Sequence, residues 1–195
     1  MFNKLRRKVF SYHVNQFKKK VVREKQYIDY AHAKSVLVLY ESELSEHRIF
    51  ITEVMRTLTA DGKRVSVYGF VPKKAGISSS MNGFNMLDIN SLDFFYQPKS
   101  TLLQLLEEDQ FDLVIDLTIH FCQPLQYLLL HANAPCKVGG SVGEFGLIDL
   151  AVKMPEPEAL LEDDKPDISV QLLYEKEKEL WREILYYLKS IVAVN

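Results

Sequence analysis

The chain has 195 residues, a formal net charge of −2, 47% hydrophobic and 26% charged residues, and two cysteines, Cys122 and Cys136. These proportions are those of a globular protein and exclude a collagen-like, low-complexity or disulfide-scaffold chain. No uncharged apolar run reaches the roughly 18 residues of a membrane-spanning helix, and the basic N-terminus lacks the apolar stretch and small-residue cleavage site of a signal peptide, so the cytoplasm is the expected location.

Charge is unevenly spread. Nine of the 24 lysines and arginines, but one of the 26 acids (Glu24), fall within residues 1–25. That predicts a basic arm on an acidic body. Phe2, Leu5, Val9, Phe10, His13, Phe17 and Val21 recur at helical spacing, and Lys18, Lys19, Lys20, Arg23 and Lys25 crowd the second half. This helix, residues 1–30, is expected either to dock on the acidic body or to meet an anionic membrane surface, RNA or a protein.

Residues 31–195 are expected to form one α/β domain. Ser35–Tyr40 is apolar on consecutive residues, as in a strand buried on both faces. A helix follows, with Leu44, His47, Ile51, Val54, Met55 and Leu58 on one stripe and Asp61-Gly62 as its end. Arg64–Phe70 reads as the second strand, Pro72–Gly83 as a loop, and Phe84–Ile89 as a short strand. Pro98 suits the first turn of a helix carried by Leu102, Leu103, Leu105 and Leu106.

Phe111–Leu117 reads as the next strand, Gln123–His131 as a helix with Pro124 in its first turn, Cys136–Gly139 as a strand and Phe145–Val152 as another. A terminal helix near 170–190 carries Leu173, Leu180, Ile184, Tyr187 and Ile191, widened by Trp181 and Leu188. For Tyr186 and Tyr187 the alternatives are core packing and a self-association patch that would make a homodimer. Alternating buried strands and amphipathic helices predict a Rossmann-like three-layer sandwich with a mainly parallel sheet, a basic N-terminal helix and a long C-terminal helix. The strands starting at Ser35 and Phe111 are expected side by side, with a switch point between them.

A ligand is therefore expected beyond the C-terminal strand ends, where Glu41, Ser42, Thr118, His120, Gly139, Gly140 and Ser141 fall. Gly139-Gly140-Ser141-Val142-Gly143 matches a nucleophile elbow in spacing, but no histidine follows His131, and a strand rather than a helix is expected after it. The same glycines offer backbone N–H groups to a phosphate. Asp116, Thr118 and His120 combine a carboxylate, a hydroxyl and an imidazole at one strand end. Ser42 and Glu43 also suit a helix N-terminus. His120, Cys122, His131 and Cys136 are zinc-type ligands, yet a helix would hold Cys122 and His131 about 13 Å apart. No metal and no cofactor is expected.

Phe111–Leu117, followed by Leu128–Leu130, Ala132, Ala134 and Lys137-Val138-Gly139, resembles the N-terminal Rossmann-like half of heptosyltransferase-type (GT-B) glycosyltransferases, as does Gly62–Tyr68. The whole chain also resembles an uncharacterised bacterial family, with a basic N-terminal helix, a Rossmann-like body and a terminal "YLK-I" helix, here Tyr187–Ile191. The first resemblance implies a Rossmann-like fold. Those enzymes carry Gly-Asp after the first strand, where this chain reads Glu41-Ser42-Glu43-Leu44-Ser45-Glu46, and they add a second domain, so no catalytic residue is assigned. The first expectation is a non-catalytic binding or interaction protein, at most peripheral to a membrane. The alternative is a binder, sensor or incomplete enzyme for a nucleotide, nucleotide sugar or sugar phosphate, with a small-molecule phosphate ligand.

Overall fold

The computed structural model describes residues 2–42, 45–72, 84–140, 145–153 and 166–191. Six parallel strands form one sheet in the order β3-β2-β1-β4-β5-β6. They are β1 (Ser35–Glu41), β2 (Arg64–Phe70), β3 (Phe84–Leu87), β4 (Leu113–Asp116), β5 (Cys136–Gly140) and β6 (Leu150–Val152). The helices are α1 (Phe2–Lys20), α2 (Ser45–Ala60), α3 (Ser100–Glu108), α4 (Gln123–His131) and α5 (Pro166–Ser190).

Helices cover both faces, which is why every residue of β1 is buried and its sequence does not alternate. On one face Val36, Val38, Val67 and Ile115 meet Ile51, Val54 and Leu58 of α2 and Leu180, Trp181 and Ile184 of α5. On the other, Leu37, Leu39 and Val114 meet Leu103 and Leu106 of α3 and Leu125, Leu128 and Leu129 of α4.

The basic helix joins this second face. Phe10 is fully buried, and its ring stands edge-on to Tyr127 at 4.7 Å and Phe145 at 4.9 Å. Val14 is buried beside it, and His13 Nδ1 lies 2.9 Å from the Tyr127 hydroxyl. Of the apolar residues of α1, Phe10, Val14 and Phe17 are therefore used for packing, whereas Leu5 is 47% exposed.

Two glycines carry conformational weight. Gly62 has φ +79° and ends α2 in a Schellman arrangement: its N–H donates to the Thr59 carbonyl at 2.9 Å and the Lys63 N–H to the Leu58 carbonyl at 3.0 Å. Gly69 sits opposite Tyr40, and a methyl group there would lie 2.6 Å from the Tyr40 ring and 2.8 Å from Met86 Sδ. Burial pushes the Tyr40 phenol up to about 12, and its ring is locked in the core. Gly69→Ala is expected to cost about 1–3 kcal/mol through overpacking, read as a lower urea midpoint.

Several boundaries differ from expectation. Pro98 is not in the first turn of α3. It closes an antiparallel bridge with Leu92, and the helix begins at Ser100. The strand expected over Phe145–Val152 shortens to Leu150–Val152 because a turn at Phe145 and Gly146, with φ +57°, comes first. Leu147 then packs on the α4 face, and Asp149 accepts from the Lys137 N–H at 2.9 Å. β4 is shorter than Phe111–Leu117, since the Phe111 N–H donates to the Asn133 carbonyl outside the ladder. On α5, Tyr186 and Tyr187 are exposed, at 65% and 42%, so neither is core. The loop expected over 72–83 lies almost wholly outside the described residues.

Candidate functional site

The sheet reverses direction of growth between β1 and β4, which makes their C-terminal ends the switch point of the sheet. Asp116, the last residue of β4, pairs with Leu39 of β1 and Gly139 of β5. Its side chain turns back on its own loop: Oδ1 accepts from the Thr118 N–H at 3.1 Å and the Thr118 hydroxyl at 2.7 Å. Asp-x-Thr is suited to this local turn. Gln126 Nε2 of α4 reaches Oδ2 at 3.4 Å. Burial outweighs these donors and pushes the Asp116 carboxyl up to about 6.

Gly139 makes this arrangement possible. A methyl group there would lie 3.0 Å from the Asp116 carbonyl and 3.1 Å from its Cβ. Gly140 follows, buried and paired with Val152 of β6. Ser141 and the rest of the turn to residue 144 lie outside the described residues.

A second pair stands at the end of β1. Glu41 is 7% exposed, and its Oε2 lies 2.9 Å from His120 Nε2, on the loop leaving β4. The contact is an ion pair when the imidazole is protonated, and the Cys122 thiol also bonds to the Glu41 carboxylate. The half-buried Ser42 donates its N–H to the Phe70 carbonyl at 2.8 Å. It precedes the first residue of α2 by three positions, too far to cap that helix. Glu41, Thr118, His120, Gly139 and Gly140 are thus at one end of the sheet, joined by Asp116 and Gln126. Gln126 escapes sequence reading because its only local context is an apolar helix.

Ser141 lies outside the described residues, and the nucleophilic side chains of Thr118 and Cys122 are quenched. The Thr118 hydroxyl proton is committed to Asp116. Cys122 is buried, and burial, with Glu41 nearby, pushes its thiol well above the ordinary range. The cluster places the buried carboxylates of Glu41 and Asp116 near an imidazole that is half open to water.

Residues 6–161 match the model of a family described as "Family of unknown function (DUF6913)". The chain belongs to that family. No curated protein and no solved structure matches. The matched span takes in α1 from Arg6 onward and all six strands, and so both the basic helix and the strand-end cluster.

Of the basic residues singled out in the sequence, three bond to the body. Lys18 Nζ donates to the Phe145 carbonyl at 2.6 Å. Arg23 donates to the Ala134 carbonyl at 3.1 Å and pairs with Asp149, which also holds Lys25 at 3.1 Å. Lys19 and Lys20 are exposed. His131 is drawn away from Cys122 to Glu107 and the Phe17 ring. Among the described residues no group of three or more His, Cys, Asp or Glu side chains is gathered to hold a metal.

A cleft of about 740 Å³ lies at the opposite end of β5, between Phe17 to Lys25, the end of α4 and Lys137. Lys137 is buried there and donates to the Leu129 carbonyl, covering an open end of α4. Burial, with Arg23 close by, lowers its ammonium to about 7. A lysine inside a buried strand run was the sequence signal for this group.

Proposed function

We propose that this protein is a small-molecule-binding protein whose ligand is a nucleotide, nucleotide sugar or sugar phosphate, held at the C-terminal ends of β1 and β4. The observation that carries the reading is the Glu41–His120 pair: a carboxylate oxygen buried at the switch point against an imidazole that is half open to water. A buried carboxylate is costly to keep unless hydrogen-bond donors meet it. Sugar and ribose hydroxyls are donors of that kind, and doubly wound sheets receive such ligands at this position. Binding is favoured over covalent catalysis because Thr118 and Cys122 are both unsuited to nucleophilic attack.

The test is thermal unfolding against a panel of nucleotides, nucleotide sugars and sugar phosphates. A ligand held at about 100 times its Kd adds about 2.7 kcal/mol. For a domain of this size that raises Tm by roughly 5–10 °C. His120→Ala and Glu41→Gln are expected to abolish most of the shift. An equal shift in both variants would move the ligand elsewhere, and a flat panel would overturn the reading.

A further inference from the structure

The basic helix packs through one side only. α1 carries seven lysines and arginines and no acid. The body engages Arg6, whose Nε donates to the Phe94 carbonyl at 3.1 Å and whose guanidinium lies 3.8 Å from the Tyr96 ring centroid. It engages Arg7 over the Phe121 ring and Lys18 at the Phe145 carbonyl. Lys4, Lys8, Lys19 and Lys20 remain, all exposed, and none pairs with a described carboxylate.

At about 100° per residue, Leu5, Lys8, Tyr12 and Lys19 share the side opposite the buried Phe10 and Val14, and Lys4 and Lys20 flank it. Leu5 is 47% exposed and Tyr12 61%. The outer face therefore interleaves cations with apolar side chains.

We propose that this outer face of α1 is a docking surface for an anionic lipid bilayer. Lysine charge alone would serve any polyanion. Leu5 and Tyr12 decide between them, because only a bilayer offers an apolar layer directly beneath its phosphates. Tyr12 suits that boundary in particular, with an apolar ring and a polar tip. Phe10 and Val14 stay in the protein core, so attachment is peripheral and reversible. The acidic remainder of the chain, with 25 of the 26 acids, orients the molecule by being repelled from the same surface.

The experiment is co-sedimentation of the full chain with vesicles of phosphatidylcholine alone or mixed with phosphatidylserine. Binding is expected only to the mixed vesicles, and it should fall steeply with salt. Lys4→Gln/Lys8→Gln/Lys19→Gln/Lys20→Gln should lose it at least tenfold. Leu5→Ser/Tyr12→Ser should weaken vesicle binding several-fold while leaving retention on a single-stranded RNA resin unchanged. Both variants alter exposed side chains, and an unchanged urea midpoint verifies that they fold. Equal binding to neutral vesicles, no vesicle binding, or full vesicle binding by Leu5→Ser/Tyr12→Ser would each overturn the proposal. In the last case, a loss of RNA retention in the lysine variant would identify a general polyanion surface.

Discussion

Asp116→Asn is expected to make the protein more stable at neutral pH, by about 3 kcal/mol if the carboxyl titrates near 6. Asp116 is fully buried and has no cationic partner among its contacts: its acceptors are filled by Thr118 and, at 3.4 Å, by Gln126. Because the folded-state value is raised, the folded protein holds the proton more tightly than the unfolded chain. The stabilisation from that proton is complete below about pH 4 and is lost as pH rises through about 6. The asparagine carries no charge to desolvate. Its Oδ1 still accepts from Thr118, and Gln126 rotates its amide to present oxygen to the new Nδ2.

The difference between the two proteins should therefore be near zero at pH 4 and reach its full value by pH 7. In a domain of this size the corresponding rise in Tm is roughly 6–12 °C. Taking the difference cancels carboxyls that behave oppositely, such as Asp112 and Asp149. Burial opposes ionisation of both, yet hydrogen bonds from Ser35 and Lys34 to one, and from Arg23 and Lys25 to the other, hold them below the usual carboxylate range. An asparagine variant less stable at pH 7 would mean that the charge is already compensated. A stabilising variant that no longer shifts with ligand would mark Asp116 as a group kept for binding at the expense of the fold.

Phe10→Ala should unfold much of the population under mild denaturant, at a cost of about 3–5 kcal/mol. Natural domains have roughly 5–15 kcal/mol in total, so this is a large fraction. Phe10 has no exposed surface and touches Tyr127, Phe121 and Phe145 through its ring. Its loss opens a cavity between α1 and α4 that neither helix closes without abandoning the His13–Tyr127 contact. Urea unfolding followed by circular dichroism gives the midpoint. A change below about 0.5 kcal/mol is the size of an ordinary surface substitution and would mean that α1 is a detachable arm. The result also bears on truncation: removing residues 1–25 takes Phe10 and Val14 out of the core, so loss of binding in such a truncation would not report on the lysines. Point changes at Lys4, Lys8, Lys19 and Lys20 avoid that confusion.

Where interactions run between near neighbours in the chain, the sequence determined the outcome. The consecutive apolar residues of β1 specified a doubly buried strand, Gly62 specified the end of α2, and Pro124 specified the start of α4. The adjacency of β1 and β4 follows from the same alternation of strands and helices. The Asp116–Thr118 turn is equally local and readable. Tertiary structure alone decided the rest. Glu41 and His120 are 79 positions apart and meet only because β1 and β4 are neighbours. Gly69 reads as an ordinary strand residue until the Tyr40 ring is laid across it. Pro98 and Phe145 follow local preferences that a bridge to Leu92 and packing against Phe10 override. The charge of α1 is written in the sequence, but which lysines face the body and which face outward depends on where Phe10 finds its partners. Periodicity and turn chemistry act over a few residues, whereas burial, desolvation and register depend on which distant segments share a face.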